Sequence, residues 1–362
     1  MSHNTAEKLS GVSKKIDFHK VTFSKEELQT VLECLVEDLM DTGSIVEKFE
    51  KDFKSTFAAK YVISANSLFS AYHLALLALG VGENDSVVLS SFAPLPAFDA
   101  ILLLKAKPVV IDLGKSSFHP DPEKLKSAVD ENHPKAVILD HTYGCLVDFK
   151  KYDLTNVNTI EDYSESIGAS YDDIPTGKQG TISLCGLSAS NVITTGNGAM
   201  ITTASDTIAE TVKSYKYSAS LRKKNKIRFD YNLLDFQAAM GIEQISKLGM
   251  IIERKKKIAQ VYLQAVLSAS HETYFQRAGE DQFNRFPVVI SKPFDEVQRY
   301  FKSLLIGTER TIQEPIHRIL ELQGSDYPNA ERLYQRGHCI PIYPNLTRDN
   351  INRIASSLKS IY

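Results

Sequence analysis

Short β-branched runs alternate with segments of helical periodicity along most of this chain, and this alternation restricts the fold more than any other feature. Residues 108–112 (PVVID) and 136–140 (AVILD) have the length and composition of buried strands. Residues 68–79 and 122–129 have the apolar spacing and the end signals of helices. Repeated strand, helix, strand order implies right-handed crossovers and a mainly parallel sheet with helices on both faces. We therefore predict an α/β fold.

The predicted elements also suggest two units. Further strands are predicted at 86–89 and 159–162, and further helices at 96–105, 206–217 and 235–266. A large domain is expected over residues 21–267, followed by a small C-terminal α/β domain over 268–362 with a strand at 286–290 (FPVVI). Residues 1–20 are polar and are expected to be loosely held.

Composition excludes several classes of protein. The chain has 362 residues, is 43% hydrophobic and 24% charged, and carries a formal net charge of -2, which suits a soluble globular protein of about two domains. This balance provides no global attraction to nucleic acid or to an anionic membrane. There is no secretory leader pattern and no long apolar stretch, so we expect a cytoplasmic protein that does not span a membrane.

The cysteines do not indicate a disulfide framework or a metal site. Cys34, Cys145, Cys185 and Cys339 are far apart, with no CxxC pair and no histidine at metal-ligand spacing. We expect four reduced thiols and no bound metal.

Several short motifs occur in an order that resembles the DegT/DnrJ/StrS sugar aminotransferases, from about residue 40 to the end of the chain. The matching segments are 43–53 (GSIVEKFEKDF), 71–80, 106–112 (AKPVVID), 141–144 (HTYG), 161–169 (EDYSESIGA), 188–200 (SASNVITTGNGAM), 231–241 (YNLLDFQAAMG) and 340–346 (IPIYPNL). The resemblance implies the fold-type-I aminotransferase architecture. In that architecture a large domain holds a mostly parallel seven-stranded sheet between helices, and a smaller C-terminal α/β domain follows. It also implies a dimer that builds each active site at the subunit interface.

One chemical group of that family is missing here. The family binds pyridoxal phosphate (PLP) through an imine to a lysine in the loop that matches residues 188–200, and Asn191 stands at the lysine position. The lone pair of an amide nitrogen is delocalised into the carbonyl, so Asn191 can neither form a Schiff base nor shuttle a substrate proton. Ordinary transamination is therefore not expected.

Other cofactor positions implied by the resemblance are mostly altered as well. Asp162 matches the aspartate that pairs with the pyridinium nitrogen and is kept. Glu165 replaces a carboxamide beside the ring hydroxyl, so repulsion replaces a hydrogen bond unless the carboxyl is protonated. The phosphate turn S-G-T becomes Ser67-Leu68-Phe69, which loses a glycine and a hydroxyl.

Two further positions depart from the pattern, and one more is carried over by resemblance. The phosphate-binding serine falls on Gly186, and the ring-stacking aromatic falls on Pro94. Asn232, in the YN motif, is also placed among the cofactor-binding positions. With so many contacts changed, we expect no covalent cofactor, and we do not expect non-covalent PLP or pyridoxamine phosphate (PMP) to bind well.

A different acid or base would be needed for any remaining chemistry. One branch of the family, the PLP-dependent sugar dehydratases, carries histidine at the lysine position, but Asn191 has no titratable proton near neutral pH. By family position, His141 and Glu165 are the nearest candidates for a catalytic base. The alternatives are a turn histidine bonded to backbone and a solvated or capping carboxylate. Asp162 could face a ligand at its strand end or cap a helix.

A basic segment precedes the YN motif. Residues 222–228 (RKKNKIR) include Arg222, Lys223, Lys224 and Arg228. In the family this stretch lies near the neighbouring subunit's active site, where it could hold the diphosphate of a nucleotide-linked sugar. A solvated loop is the other interpretation. Residues 254–257 (RKKK) are expected to form an exposed helix face.

Three hypotheses follow from this pattern. The first is a non-transaminating homologue that binds a nucleotide sugar, or pairs with an active paralogue, in polysaccharide or amino-sugar biosynthesis, as a homodimer or a heterodimer. The second is a PLP- or PMP-dependent nucleotide-sugar aminotransferase or dehydratase with a rewired base. The third is a PLP-free enzyme that reuses the pocket, with Asp162, Glu165 and His141 in acid and base roles.

Overall fold

A computed structural model of the chain describes residues 14–216, 227–275 and 280–361. Within these residues the strands are β1 (Tyr61–Ala65), β2 (Ser86–Ser90), β3 (Lys107–Ile111), β4 (Ala136–Asp140), β5 (Asn158–Asp162), β6 (Ser170–Tyr171), β7 (Ile174–Pro175), β8 (Ile182–Gly186), β9 (Ala199–Thr203), β10 (Phe286–Val289), β11 (Glu309–Arg310) and β12 (Gly337–Ile340). The helices are α1 (Lys25–Val36), α2 (Ser44–Thr56), α3 (Leu68–Ala78), α4 (Leu95–Leu103), α5 (Pro122–Asn132), α6 (Asp206–Tyr215), α7 (Asp235–Ser268), α8 (Phe294–Ser303), α9 (Ile316–Ile319), α10 (Pro328–Arg336) and α11 (Arg348–Lys359).

The large sheet has seven strands in the order β1-β9-β8-β5-β4-β2-β3. Strands β3, β2, β4, β5 and β8 run parallel, and β9 runs antiparallel to both of its neighbours. Every residue of β4, β8 and β9 is buried, as expected for strands that helices cover on both faces. The prediction of an α/β fold with a mostly parallel sheet is confirmed.

Helix α3 covers part of one face of the large sheet. It is apolar on nearly all sides because it packs between the sheet and the neighbouring helices α4 and α6. Ser67 caps its first turn, where Oγ accepts a hydrogen bond from the Ser70 N–H. The cap fixes where the helix begins, and its N-terminus is thereby held at the carboxyl edge of the sheet.

A three-stranded antiparallel sheet, in the order β10-β12-β11, forms the second unit together with α8, α10 and α11. The long helix α7 packs against α1, α2 and α11 and so runs along both units. The division at residues 267 and 268 coincides with the end of α7, but that boundary stays a prediction.

The N-terminal stretch differs from the expectation of a loose tail where it is described. Ile16 is 1% exposed and lies in the core of the second unit. Its N–H donates to the Leu305 carbonyl at 2.8 Å, and its carbonyl accepts from the Gly307 N–H at 2.8 Å. The sequence prediction missed this contact because Ile16 lies between Lys15 and Asp17 and was grouped with the polar N-terminal residues. Among the described residues, no helix combines the length and apolar character needed to cross a membrane.

Candidate ligand-binding site

A cavity of about 450 Å³ opens at the carboxyl ends of the parallel strands. Its floor is formed where β4 and β5 end, at Asp140 and Asp162, and its sides include the first residues of α3 and α4. Residues 310–314 of the second unit form another wall. This is the position at which open parallel sheets usually bind ligands, since the loops after the strands diverge there.

Most of the side chains singled out from the sequence meet at this cavity. The lining includes Ser67, Pro94, His141, Asp162, Glu165 and Asn191. Gly186 lies directly beneath, because a Cβ placed on it would come 2.9 Å from Nδ2 of Asn191. The described residues that line the cavity include no lysine.

Asp162 is buried, and other side chains already satisfy both of its carboxylate oxygens. The hydroxyl of Tyr72 donates to Oδ2 at 2.6 Å, while the N–H and hydroxyl of Ser164 donate to Oδ1 at 2.9 and 2.5 Å. Burial raises the pKa of Asp162, and the hydrogen bonds from Ser164 and Tyr72 oppose that rise. A pyridinium N–H would therefore have to share this carboxylate with the Tyr72 hydroxyl and with Ser164.

Gly186 belongs to the same hydrogen-bonded floor. Its N–H donates to Oγ of Ser164 at 2.6 Å. A Cβ at position 186 would lie 2.9 Å from Asn191 Nδ2, 3.0 Å from Ser164 Oγ and 3.2 Å from Leu68 Cδ2. The space that a phosphate-binding serine would need is therefore filled by side chains of this chain.

The Glu165 carboxylate links the turn that follows β4 to the segment that precedes β10. Oε2 accepts from the Tyr143 N–H at 2.5 Å, and Oε1 accepts from Nδ2 of Asn284 at 2.9 Å and faces Nε of Arg285 at 3.3 Å. The turn that contains Tyr143 needs a glycine at position 144. The φ of Gly144 is +86°, and a Cβ there would lie only 2.8 Å from the Glu165 carbonyl oxygen. These contacts favour a structural role, and the assignment of Glu165 as a catalytic base stays a prediction.

His141 is buried, and both nitrogens of its ring are engaged. Nδ1 accepts from the Val147 N–H at 2.9 Å, so Nε2 carries the proton and donates to Oε1 of Glu161 at 3.1 Å. Burial alone would raise the pKa of Glu161, but hydrogen bonds from His141 and from the backbone at Gly177 and Gln179 lower it overall. This arrangement favours the interpretation of His141 as a turn residue bonded to backbone and weighs against a free catalytic base.

Ser67 and Pro94 hold backbone positions at the rim. The Ser67 hydroxyl is used by the Ser70 N–H, as described above, and Pro94 precedes the first turn of α4. Phe69 lines the cavity beside Ser67, and its ring stacks on His73 with centroids 6.4 Å apart. The rim near the start of α3 is consequently more apolar than a phosphate cradle.

Two predicted binding positions lie away from this cavity within the chain. Asn232 donates to Oδ1 of Asp230 at 2.9 Å, and neither Asn232 nor Arg228 is among the lining residues. Arg222, Lys223 and Lys224 lie outside the described residues. Their proposed contact with a diphosphate remains a prediction.

Four charged residues of the lining were not singled out from the sequence: Asp140, Arg285, Arg310 and Glu314. Asp140 ends a buried strand as Asp162 does, so its position could have been noticed. Arg285 and Arg310 come from the second unit, about 120 and 150 residues further along the chain than Asp162. Nothing local in the sequence relates them to this cavity.

The RKKK segment is not uniformly exposed as predicted. Lys255 is 5% exposed, and its Nζ donates to the carbonyl and to Oδ1 of Asn284, each at 2.9 Å. Burial lowers the pKa of this amine to about 7. Lys255 and Asn191 both line a second, smaller cleft.

All four cysteines are buried thiols without a disulfide, as expected. The described part of the chain contains no cluster of three or more histidine, cysteine, aspartate or glutamate side chains arranged to hold a metal ion.

Comparison with known proteins agrees with the architecture. The sequence profile of the DegT/DnrJ/EryC1/StrS aminotransferase family matches residues 21–359. An uncharacterized protein of Methanocaldococcus jannaschii is 28% identical, covering 93% of this chain and 95% of its own. GDP-perosamine synthase of Escherichia coli O157:H7 is 25% identical, covering 96% of this chain and 99% of its own.

Among solved structures, the E. coli GDP-4-keto-6-deoxy-D-mannose-3-dehydratase with bound hydrated PLP superimposes with a TM-score of 0.84. The superposition covers 95% of this chain and 99% of the dehydratase, at 19% identity. At that identity the match establishes the fold.

Proposed function

The chain belongs to the DegT/DnrJ/EryC1/StrS aminotransferase family, and from this premise we propose that it binds a nucleotide-linked sugar without forming a Schiff base to PLP. The observation that carries the proposal is the floor of the cavity. Asp162 is bonded to Tyr72 and Ser164, Asn191 stands beside Gly186, and the lining within the described residues contains no lysine. These residues do not fit PLP, so the proposed role requires no step through that cofactor.

The cavity suits a ligand of mixed polarity. Its volume of about 450 Å³ lies in the range of small-molecule sites. Phe69, Phe92 and Ile312 supply apolar surface, and Asp140, Asn191 and Gln313 supply hydrogen-bonding groups. Sugars present apolar C–H faces and hydroxyl groups together, and this lining offers partners for both.

Charge gives the ligand an orientation. The floor carries the carboxyls of Asp140 and Asp162 and no cation among the described residues, so it offers a phosphate no opposite charge. The wall from the second unit contributes Arg310, whose guanidinium lies 3.9 Å from the centroid of the Phe294 ring and donates to the Tyr334 carbonyl at 2.8 Å. We infer that the sugar faces the floor and that the diphosphate lies toward Arg310, because a fixed guanidinium binds phosphate oxygens well.

Relatives support the choice of substrate class. One is a GDP-perosamine synthase and another is a GDP-4-keto-6-deoxy-D-mannose-3-dehydratase, and both names refer to GDP-linked sugars. A member of this family that has lost the lysine could still keep the nucleotide-sugar pocket.

Calorimetric titration with GDP and GDP-mannose tests the proposal directly. We expect saturable binding of GDP-mannose by the unmodified protein and at least about tenfold weaker binding by the variant Arg310→Gln, corresponding to about 1.4 kcal/mol. Arg299→Gln is the matched control, since Arg299 is on α8 and bonds the Asp295 carbonyl outside the cavity. No binding of either ligand, or equal binding by both variants, would contradict the proposed site.

Absorbance spectroscopy and an activity assay distinguish the proposed binding function from a PLP- or PMP-dependent enzyme. A PLP- or PMP-dependent aminotransferase or dehydratase with a rewired base would give a stable cofactor spectrum and turn over an amino donor or a keto sugar. The proposed function predicts neither.

Association with a second chain also remains a proposal. The family resemblance led to the expectation of a homodimer, or a heterodimer with an active paralogue. Light scattering on the pure protein, alone and mixed with a lysine-containing paralogue, measures the assembled mass and distinguishes the two.

A further inference from the structure

Two aspartates end neighbouring parallel strands at the floor of the cavity, and their carboxyl groups differ in how many hydrogen bonds they accept. Asp140 and Asp162 are register partners of β4 and β5. Asp162 has both oxygens bonded to Tyr72 and Ser164, whereas Asp140 receives one side-chain hydrogen bond within the described residues, from the Thr142 hydroxyl to Oδ2 at 2.6 Å. Asp140 lines the cavity while only 7% of the residue is exposed.

Within residues 14–216, 227–275 and 280–361, no cation forms an ion pair with Asp140. The charged and titratable groups that face it are the carboxyls of Asp162 and Glu165 and the phenols of Tyr72, Tyr143 and Tyr152. The guanidinium of Arg285 is held by Glu165 at 3.3 Å. Burial, together with the nearby carboxyls, raises the pKa of Asp140 to about 8 despite the hydrogen bond from Thr142.

The other candidate bases are occupied by structural contacts. His141 uses Nδ1 for the Val147 N–H and Nε2 for Glu161, and Glu165 holds the Tyr143 N–H and Asn284. Among the carboxyls at the floor of the cavity, Asp140 is therefore the one that can exchange a proton with a ligand without first breaking a tertiary contact. Glu314, the remaining carboxyl of the lining, is exposed on the wall from the second unit, away from the strand ends.

We propose that Asp140 is the catalytic acid–base residue of this cavity and that it exchanges a proton with the carbon next to the carbonyl of a bound keto-sugar nucleotide. This inference rests on the proposed function, since the ligand must first bind.

The step balances without any co-reactant. The ionised carboxylate of Asp140 takes the proton, the C–H electron pair forms a carbon–carbon double bond, and the carbonyl π electrons move to the oxygen. Return of the proton from Asp140 to the same face of that carbon restores the ketone. Asn191, which lines the same cavity, offers an amide N–H donor for the oxygen that becomes negative. The reaction class is therefore enolisation, which exchanges the hydrogen on the carbon next to the carbonyl.

Hydrogen exchange in D2O tests this inference. The probe is GDP-4-keto-6-deoxymannose, and deuterium entry next to the carbonyl is followed by mass spectrometry and NMR. We expect the unmodified protein to accelerate exchange over the protein-free rate, with a rate that rises with pH as Asp140 ionises. Asp140→Asn should reduce exchange by about 100-fold or more while GDP-mannose still binds.

A matched control and a second variant make the result specific. Asp130→Asn, at an exposed position on α5, should exchange like the unmodified protein. Thr142→Val removes the hydrogen bond that favours the ionised form of Asp140, so its pH profile should move upward even if Asp140→Asn does not fold. A purely structural role for Asp140 would not move that profile.

The outcomes distinguish the two proposals. Binding without exchange above background, or equal exchange in Asp140→Asn, would overturn the role of Asp140 and leave the binding function standing. Absence of nucleotide-sugar binding would overturn both.

Discussion

Tyr72 and Asp162 are 90 residues apart in the chain, yet the phenol of the first donates a hydrogen bond of 2.6 Å to the carboxylate of the second at the floor of the cavity. Both side chains are buried, and burial raises the pKa of the Tyr72 phenol well above its ordinary value, so the phenol stays a donor. A ring N–H of a cofactor would have to share the Asp162 carboxylate with this hydroxyl. Asp162, which matches the family pattern, thus already accepts hydrogen bonds from side chains of this protein.

Replacing Asn191 with lysine should not restore cofactor chemistry. The amine would return, but Asp162 would remain bonded to Tyr72, and Ser164 and Leu68 would still lie 3.0 and 3.2 Å from a Cβ placed on Gly186. With PLP added, we expect no visible imine absorbance from the unmodified protein or from Asn191→Lys. Lys255→Met serves as the control for the neighbouring buried amine. An imine band that Lys255→Met abolishes would show that Lys255 replaces the lost lysine.

Tyr72→Phe should lower the free energy of unfolding by about 1–3 kcal/mol, because it leaves Oδ2 of buried Asp162 without its donor. Urea denaturation followed by circular dichroism measures the change. Tyr163→Phe is the matched control, since Tyr163 is equally buried but its hydroxyl is 3.5 Å from its partner Thr202. A cost for Tyr72→Phe no larger than that of the control would mean that the bond to Asp162 contributes little.

Gly186→Ser should destabilise the protein by about 1–3 kcal/mol through overpacking against Asn191, Ser164 and Leu68. Asn191→Ala removes the group that a Cβ at 186 would approach to 2.9 Å, so the double variant should recover part of the loss. Denaturation of the two single variants and the double variant forms a mutant cycle, and a coupling energy of about 0.5 kcal/mol or more is expected. Strict additivity would show that the two positions do not share this space.

Asp140 should make stability fall as pH rises. Its pKa is about 8 in the folded protein and about 3.9 in an unfolded chain, so between these values the folded state holds a proton that the unfolded state has lost. The contribution of Asp140 is therefore fully present below about pH 4 and is lost toward about pH 8. Asp140→Asn removes this dependence.

The measurement is the difference in unfolding free energy between Asp140→Asn and the unmodified protein, taken from about pH 5 to about pH 8. It should shift in favour of the variant by at most about 1.4 kcal/mol per pH unit. Glu161 and the other titrating groups are common to both proteins and cancel to first order. A difference that is flat with pH would mean that Asp140 is ionised across the whole range.

The sequence by itself determined the order of strands and helices, the mostly parallel sheet and the family, because these depend on local periodicity and on motifs of a few residues. It also marked Asp162 and Asn191, since a strand end and a loop can be recognised from their neighbours in the chain. The lining of the cavity by Ser67, Pro94, His141, Glu165 and these two residues agrees with that local reading.

Only the tertiary structure decided which of those side chains are buried and hydrogen-bonded to other parts of the chain. Tyr72 bonds Asp162, Ile16 enters the core of the second unit, and Lys255 is buried against Asn284. Each contact joins residues that are far apart in sequence, and a side chain's hydrogen-bond partners and burial are set by packing rather than by its neighbours along the chain. For the same reason, the packing around the ends of β4 and β5 binds Asp162 to other side chains and leaves Asp140 facing the cavity.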